Sequence, residues 1–513
     1  MTENLLDALP EVFVSNTELS VVVSRAVKQG TLRKLGSRLY TKNLTDPPGQ
    51  IVRRHLWQLV ASYVPGSLIA DRTALENVPA ADGSIFVIAD RKRDIELPGI
   101  TIRPRKGVPR LEDDQPFVGK LYLSSQARAF LENMTPSRKR AGSVARTLSR
   151  KELEERLETM LRRGNPESLN KIRDRARKIA PELGLEDEFQ QLDTLIGALL
   201  GTRDEILETP AGKARHTGTP FDPDRVRLFE KLHADLRAWP PSVRLSQTIQ
   251  PTARATLAFF EAYFSNFIEG TKFEVSEAAD IVFRGVIPQG RPEDAHDVLG
   301  TWRVVSDRTV LARTPRDVPA LFRLLRQHHA AIMDARPDKR PGEFKEEGSR
   351  AGATVFVSPD LVAGTLAQGF DFYRNLDSPF ARAVFMMFMV SEVHPFADGN
   401  GRVARIMMNA ELGAADEERI IIPTVYRNNY LAALKALSHN AATEPLLRVL
   451  DYAQRWTIAI AWGEFEETRR ILEECNAFVE PNHADEAGIR LRMPSIVYSI
   501  EDPAVIKNIL LPV

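Results

Sequence analysis

The sequence predicts a mainly α-helical protein, in which a long helical domain follows a winged helix-turn-helix and a small mixed α/β region. Three observations predict it. Residues 1 to about 60 read as an amphipathic helix followed by a basic hairpin. The next stretch, "SLIADRTALENVPAADGSIFVIADRKRDIELPGITIRP", alternates helical and strand patterns. From about residue 150 almost to residue 475, apolar residues recur mostly at helical spacing.

In "NTELSVVVSRAVKQG", Leu19, Val22, Val23, Ala26 and Val27 share one helical face. Asn16 or Thr17 can cap the start, and Gly30 sits where a left-handed stop residue belongs. "TLRKLGSRLYTKN" then places Gly36 and Ser37 between two alternating runs, a tight hairpin. Arg25, Lys28, Arg33, Lys34, Arg38 and Lys42 make the stretch locally basic, which suits a winged helix on DNA phosphates or simply a solvated face. Residues 1–135 resemble the N-terminal region of abortive-infection (AbiEi-like) type IV antitoxins, through "VKQGTLRKLGSRLYT" and "DRTALE". Ser37 departs from the glycine or arginine expected in that turn. The resemblance implies a winged helix over 1–60, a small α/β region over 61–135, and DNA as a partner in a toxin–antitoxin-style element.

"PSRKRAGSVARTLSR" reads as a basic linker opening a helical linker region, 136–219. The turn-rich "TPAGKARHTGTPFDP" marks the next boundary, before a helical domain over 220–475 and a tail over 476–513. Lysine plus arginine match aspartate plus glutamate at 69 each, so any electrostatic message is local. The single cysteine, Cys475, excludes an internal disulfide framework and fits a reducing compartment. The most apolar run, "ARAVFMMFMVSEV", is too short to span a bilayer and ends beside a glutamate, so a core helix, no membrane contact and a cytoplasmic location are expected.

That apolar helix runs into "HPFADGNGRVAR", residues 394–405. Proline after His394 ends the helix, and "FADGNG" leads into a second helical pattern. A glycine-rich loop opening a helix directs backbone N–H groups outward at a positive dipole end, which suits phosphate oxygens. Gly399, Asn400 and Gly401 allow close approach; Arg402 and Arg405, three residues apart, can both reach an anion; Asp398 is a hard ligand for Mg²⁺. His394 is placed as a general base. Together these groups suit transfer of a phosphate-linked group to an alcohol.

The run matches the motif HPFx(D/E)GNGRxxR of the Fic family at every defined position, and "IIPTVYRNNYLAAL" also resembles Fic sequence. The resemblance implies a helical Fic domain that moves AMP from ATP onto a serine, threonine or tyrosine hydroxyl of a protein. It makes His394 the base and Asp398 the Mg²⁺ ligand, with Gly399, Asn400 and Gly401 as the anion hole. Arg402 and Arg405 would contact distal phosphates, and Phe396 would anchor the loop. Gly401 is intact, whereas the kinase branch of the family carries lysine there. "GATVFVSPD", with Thr354, Phe356 and Ser358 alternating, resembles the target-registering flap, although Lys345 stands upstream where arginine is expected.

"AYFSNFIEGTKF" holds Ser265, Glu269 and Gly270, which match the family's inhibitory motif (S/T)xxxE(G/N). By that likeness Glu269 pairs with Arg405, displaces the γ-phosphate and restrains the enzyme. Two other functions stay open: removal of AMP with Glu269 aligning a water, and a DNA-binding regulator whose Fic domain only senses nucleotide. A homodimer is also left open.

Overall fold

The computed structural model describes residues 8–138, 142–163, 166–240, 242–246 and 250–494. It divides into two compact units, Met1–Gly218 and Thr219–Val513.

The first unit opens with β1 (Val12–Val14), α1 (Ser20–Lys28), β2 (Arg33–Gly36) and β3 (Leu39–Thr41). The strands form an antiparallel sheet in the order β1-β3-β2. α1 buries Val23 and Ala26; the Asn16 carboxamide accepts from the Leu19 N–H at 3.0 Å, and Gly30 is left-handed at φ 75°. Among the described residues, α1 alone precedes the hairpin. Arg33, Arg38 and Lys42 donate to backbone carbonyls of this same module, so half of its six singled-out basic side chains serve the fold. Two short helices follow, α2 (Pro48–Arg54) and α3 (Leu56–Tyr63).

A six-stranded mixed sheet comes next, from β4 (Leu68–Ile69), β5 (Ser84–Ile88), β6 (Ile95–Leu97), β7 (Ile100–Arg105), β8 (Gln115–Pro116) and β9 (Tyr122–Leu123). Its order is β6-β7-β5-β4-β9-β8, parallel where β5 meets β7 and where β4 meets β9. α4 (Asp71–Glu76) and α5 (Gln126–Met134) pack with it, followed by α6 (Arg150–Arg163), α7 (Pro166–Leu183), α8 (Glu186–Leu199) and α9 (Pro210–His216). Leu153 and Leu157 of α6, Leu169 of α7 and Leu192 of α8 share one core with Leu39, Ile85 and Ile102. The stretch expected as a helical linker region is therefore packed into the first unit. Its helices each carry an apolar face, and they bury it against one another and against α5.

Among its described residues the second unit is helical except for one small hairpin. Its helices are α10 (Pro223–Ala238), α11 (Pro251–Ile268), α12 (Val275–Arg284), α13 (Pro292–Ser306), α14 (Arg308–Leu311) and α15 (Val318–Ile332). The hairpin, β10 (Arg350–Ala351) and β11 (Thr354–Val355), precedes α16 (Val362–Tyr373), α17 (Pro379–Val393) and α18 (Asn400–Ala414). α19 (Arg427–Asn440), α20 (Glu444–Ala459), α21 (Phe465–Glu474) and α22 (Pro481–Ala487) complete it.

From Phe380 to Val393 only Arg382 and Ser391 keep any substantial exposure, so α17 is the central rod against which α18 packs. Ser378 caps its start and Pro379 opens its first turn. Of the tail expected over 476–513, Ala477, Ala484 and Leu491 join Phe260, Phe264 and Trp456 in a second core, while 495–513 lie outside the described residues. Among the described residues no helix is long and apolar enough to cross a membrane.

Candidate active site

The loop after α17 is shaped by two left-handed residues. His394, at φ 54°, still donates its N–H to the Val390 carbonyl at 3.0 Å and so closes the helix while turning the chain. Gly399, at φ 70°, turns it again into α18. A Cβ at Gly399 would lie 2.9 Å from the Met333 sulfur, so space as well as backbone conformation favours glycine. Asn400, the first residue of α18, acts as a clasp: its Oδ1 accepts the Phe396 N–H at 2.8 Å, and its Nδ2 donates to the Phe396 carbonyl at 2.9 Å.

Phe396 is fully buried, its ring stacked on His329 with centroids 3.9 Å apart. His329 Nδ1 accepts the Gly342 N–H at 2.9 Å, which leaves the proton on Nε2 to donate to the Asp398 carbonyl at 3.2 Å. Burial pushes this imidazole down to about 4, so it works as a neutral strut under the loop.

His394 is held from two sides. Its Nδ1–H donates to the Ser391 carbonyl at 3.3 Å, which leaves the Nε2 lone pair as the acceptor. Phe356, just after β11, stacks on the ring with centroids 3.7 Å apart. Burial pushes His394 down to about 4, and the positive charge of Lys345 adds to the effect. Lys345 is itself buried and pushed down to about 8; its ammonium donates to Ser349 at 2.9 Å, and its N–H to the Pro395 carbonyl at 2.8 Å. The flap candidate and the loop thus meet through Phe356 and Lys345.

The residues singled out on α11 arrive at the same place. Arg405 donates through Nε to the Ser265 hydroxyl at 3.0 Å and through Nη2 to Glu269 Oε1 at 2.7 Å. Glu269 is the first residue beyond the helix, and Gly270 leaves it at φ 99°. A Cβ on Gly401 would meet Glu269 Oε1 at 2.1 Å, so the carboxylate rests directly on the glycine loop.

Arg402 departs from the expected pairing with Arg405 over one anion. It is buried, with Nη1 2.9 Å from Asp297 of α13 and 3.3 Å from the Asn266 carboxamide oxygen. Asp297 is also held by Arg336 at 2.9 Å. Asp297, Asn266, Arg336 and His329 were not found by sequence reasoning. "PEDAHDV" looks like the acid-rich first turns of any helix, and "QHHAA" like a polar step on an amphipathic one.

Asp398 uses Oδ1 to accept the Gly399 N–H at 2.6 Å. No group of three or more histidine, cysteine, aspartate or glutamate side chains suited to a metal occurs among the described residues. A single carboxylate beside a glycine-rich loop that opens a helix nevertheless fits Mg²⁺, which is commonly held by one or two carboxylates plus substrate phosphates.

Comparison with known proteins agrees with this loop. Residues 321–412 match the Fic/DOC family. Protein adenylyltransferase Fic of Drosophila yakuba is 26% identical over 223 residues, 41% of this chain and 44% of that protein. The Drosophila grimshawi protein of the same name is 27% identical over 244 residues, 44% of this chain and 49% of its own length. The chain thus spans about half the length of the curated relatives it matches. Among solved structures, Fic-1 (residues 134–508) from C. elegans aligns with a TM-score of 0.35 and 18% identity, over 64% of this chain and 94% of that one. A Fic domain containing signaling protein from Bacteroides thetaiotaomicron aligns with the same TM-score and identity, over 47% of this chain and 97% of its own. The stretch that matches the Fic/DOC family contains the whole run from His394 to Arg405.

Proposed function

We propose that the second unit is a protein adenylyltransferase held off by its own glutamate. The acceptor is a serine, threonine or tyrosine hydroxyl of a protein. Its oxygen attacks the α-phosphorus of ATP, its proton passes to His394 Nε2, the bond to the β-phosphate oxygen breaks and pyrophosphate leaves. The fixed tautomer of His394 favours that role, because Nδ1–H is committed to Ser391. Mg²⁺ bound to Asp398 would supply charge neutralisation for the phosphates. The N–H groups that open α18 would receive phosphate oxygens at Gly399, Asn400 and Gly401.

The observation that carries the reading is the seat of Glu269. A carboxylate paired with Arg405 and resting on Gly401 stands where a triphosphate would lie across the loop. Anion for anion, it is a competitor for the same arginine. Glu269→Gly is therefore expected to raise self-labelling by labelled ATP at least about tenfold, the equivalent of one charge-assisted contact. His394→Ala in that background abolishes it. Intact-mass spectrometry of the Glu269→Gly protein should show the addition of one AMP. An unchanged mass, with ATP bound in a parallel titration, would overturn the transferase reading.

A further inference from the structure

His329 supports the loop, but the histidine beside it is spent on nothing. His328 is 3% exposed, and its Nε2 has no hydrogen-bond partner in the structure. It lines a cleft of about 330 Å³ bordered by α13, α14 and α15, together with Arg303, Val310, Arg313 and Gln327. Burial pushes His328 down to about 4, and the charge of Arg313 adds to the shift, so the ring is neutral in ordinary buffers. A buried, neutral, unpartnered imidazole nitrogen is a deficit that a ligand atom can fill.

The charges around it point one way. Arg303 and Arg313 are both exposed, and neither forms an ion pair with a carboxylate among the described residues. Asp307, the acid that acts electrostatically with Arg313, spends Oδ1 on the Thr309 and Val310 N–H groups and the Thr309 hydroxyl. The acids at the start of α13, Glu293, Asp294 and Asp297, are taken by Arg336. Two cations without a salt-bridge partner among the described residues thus line the same cleft as one unsatisfied nitrogen.

We propose that this cleft binds a small oxyanion of the phosphate or carboxylate class. The two guanidiniums take the charge, and His328 Nε2 makes a neutral hydrogen bond to the same ligand. The site is separate from the glycine loop and does not depend on the transferase reading. Its walls are nevertheless the helices that hold the loop, since α15 carries His329 and α13 carries Asp297 under Arg402. Occupancy can therefore be felt at the loop through both.

The test follows the ring nitrogens of the nine histidines by NMR in the full chain, with His328 assigned by His328→Gln. Inorganic phosphate and acetate are titrated separately. Phosphate, acetate or both should move the His328 signals in a saturable way. In Arg303→Gln/Arg313→Gln, at two exposed positions, the apparent affinity should fall at least about tenfold. Movement with one probe alone identifies the anion class. Static His328 signals with both probes, or equal movement in the double variant, would overturn the site.

Discussion

Two arginines three residues apart on α18 meet two different carboxylates, and their surroundings differ. The Arg402 and Asp297 side chains are 3% and 2% exposed, whereas Glu269 beside Arg405 is 30% exposed. Removing one partner of a buried pair leaves an uncompensated charge, at about 3–5 kcal/mol. Asp297→Asn should therefore cost about that much in urea unfolding, and Glu269→Gly clearly less. If Asp297→Asn lost under about 1 kcal/mol, the buried brace would be disproved. Lys345 gives a second residue-level expectation, conditional on the transferase reading. Its positive charge helps to hold His394 down, so Lys345→Met raises the pKa of the base. The acid limb of self-labelling, read in the Glu269→Gly background, then moves to higher pH; an unmoved limb excludes this electrostatic coupling.

At the scale of elements, the restraint depends on where α11 ends. Its last residue, Ile268, gives its carbonyl to the Arg427 guanidinium at 3.0 Å, from the first turn of α19. That contact fixes the helix terminus from which Glu269 projects. Arg427→Ala should loosen the glutamate without deleting it, raising self-labelling several-fold but less than Glu269→Gly does. Equal labelling in Arg427→Ala and wild type would show that the terminus holds itself. The sequence makes α11, α17 and the loop legible because their signals are local: an apolar rod, a proline after histidine, glycines at turns and a four-residue spacing. It does not reveal Asp297 or Arg427, whose roles come from partners more than a hundred residues away. The apolar faces of α6 to α8 were equally readable, but not that they close on one another and on α5.

For the molecule as a whole, the histidines give the second unit a pH dependence of definite sign. His328, His329 and His394 all lie there, and burial pushes each to about 4 from an ordinary value of 6.5. The unfolded chain therefore binds protons that the folded unit refuses, and stability is complete above about pH 6.5 and falls as pH drops toward 4. Two carboxylates in the same unit, Glu411 and Glu417, are raised by burial and slope the other way from pH 4.5 upward. Three imidazoles moved this far, with His233 lowered by burial in the same direction, set the slope between pH 7 and 5.5. The melting transition of the second unit should consequently fall by a few degrees, on the order of 5 °C, over that window. His328→Gln should flatten part of the fall, because one of the refused protons is gone. A transition that stays level from pH 7 to 5.5, or rises on acidification, would mean that these rings reach water and take up their protons while the unit is still folded.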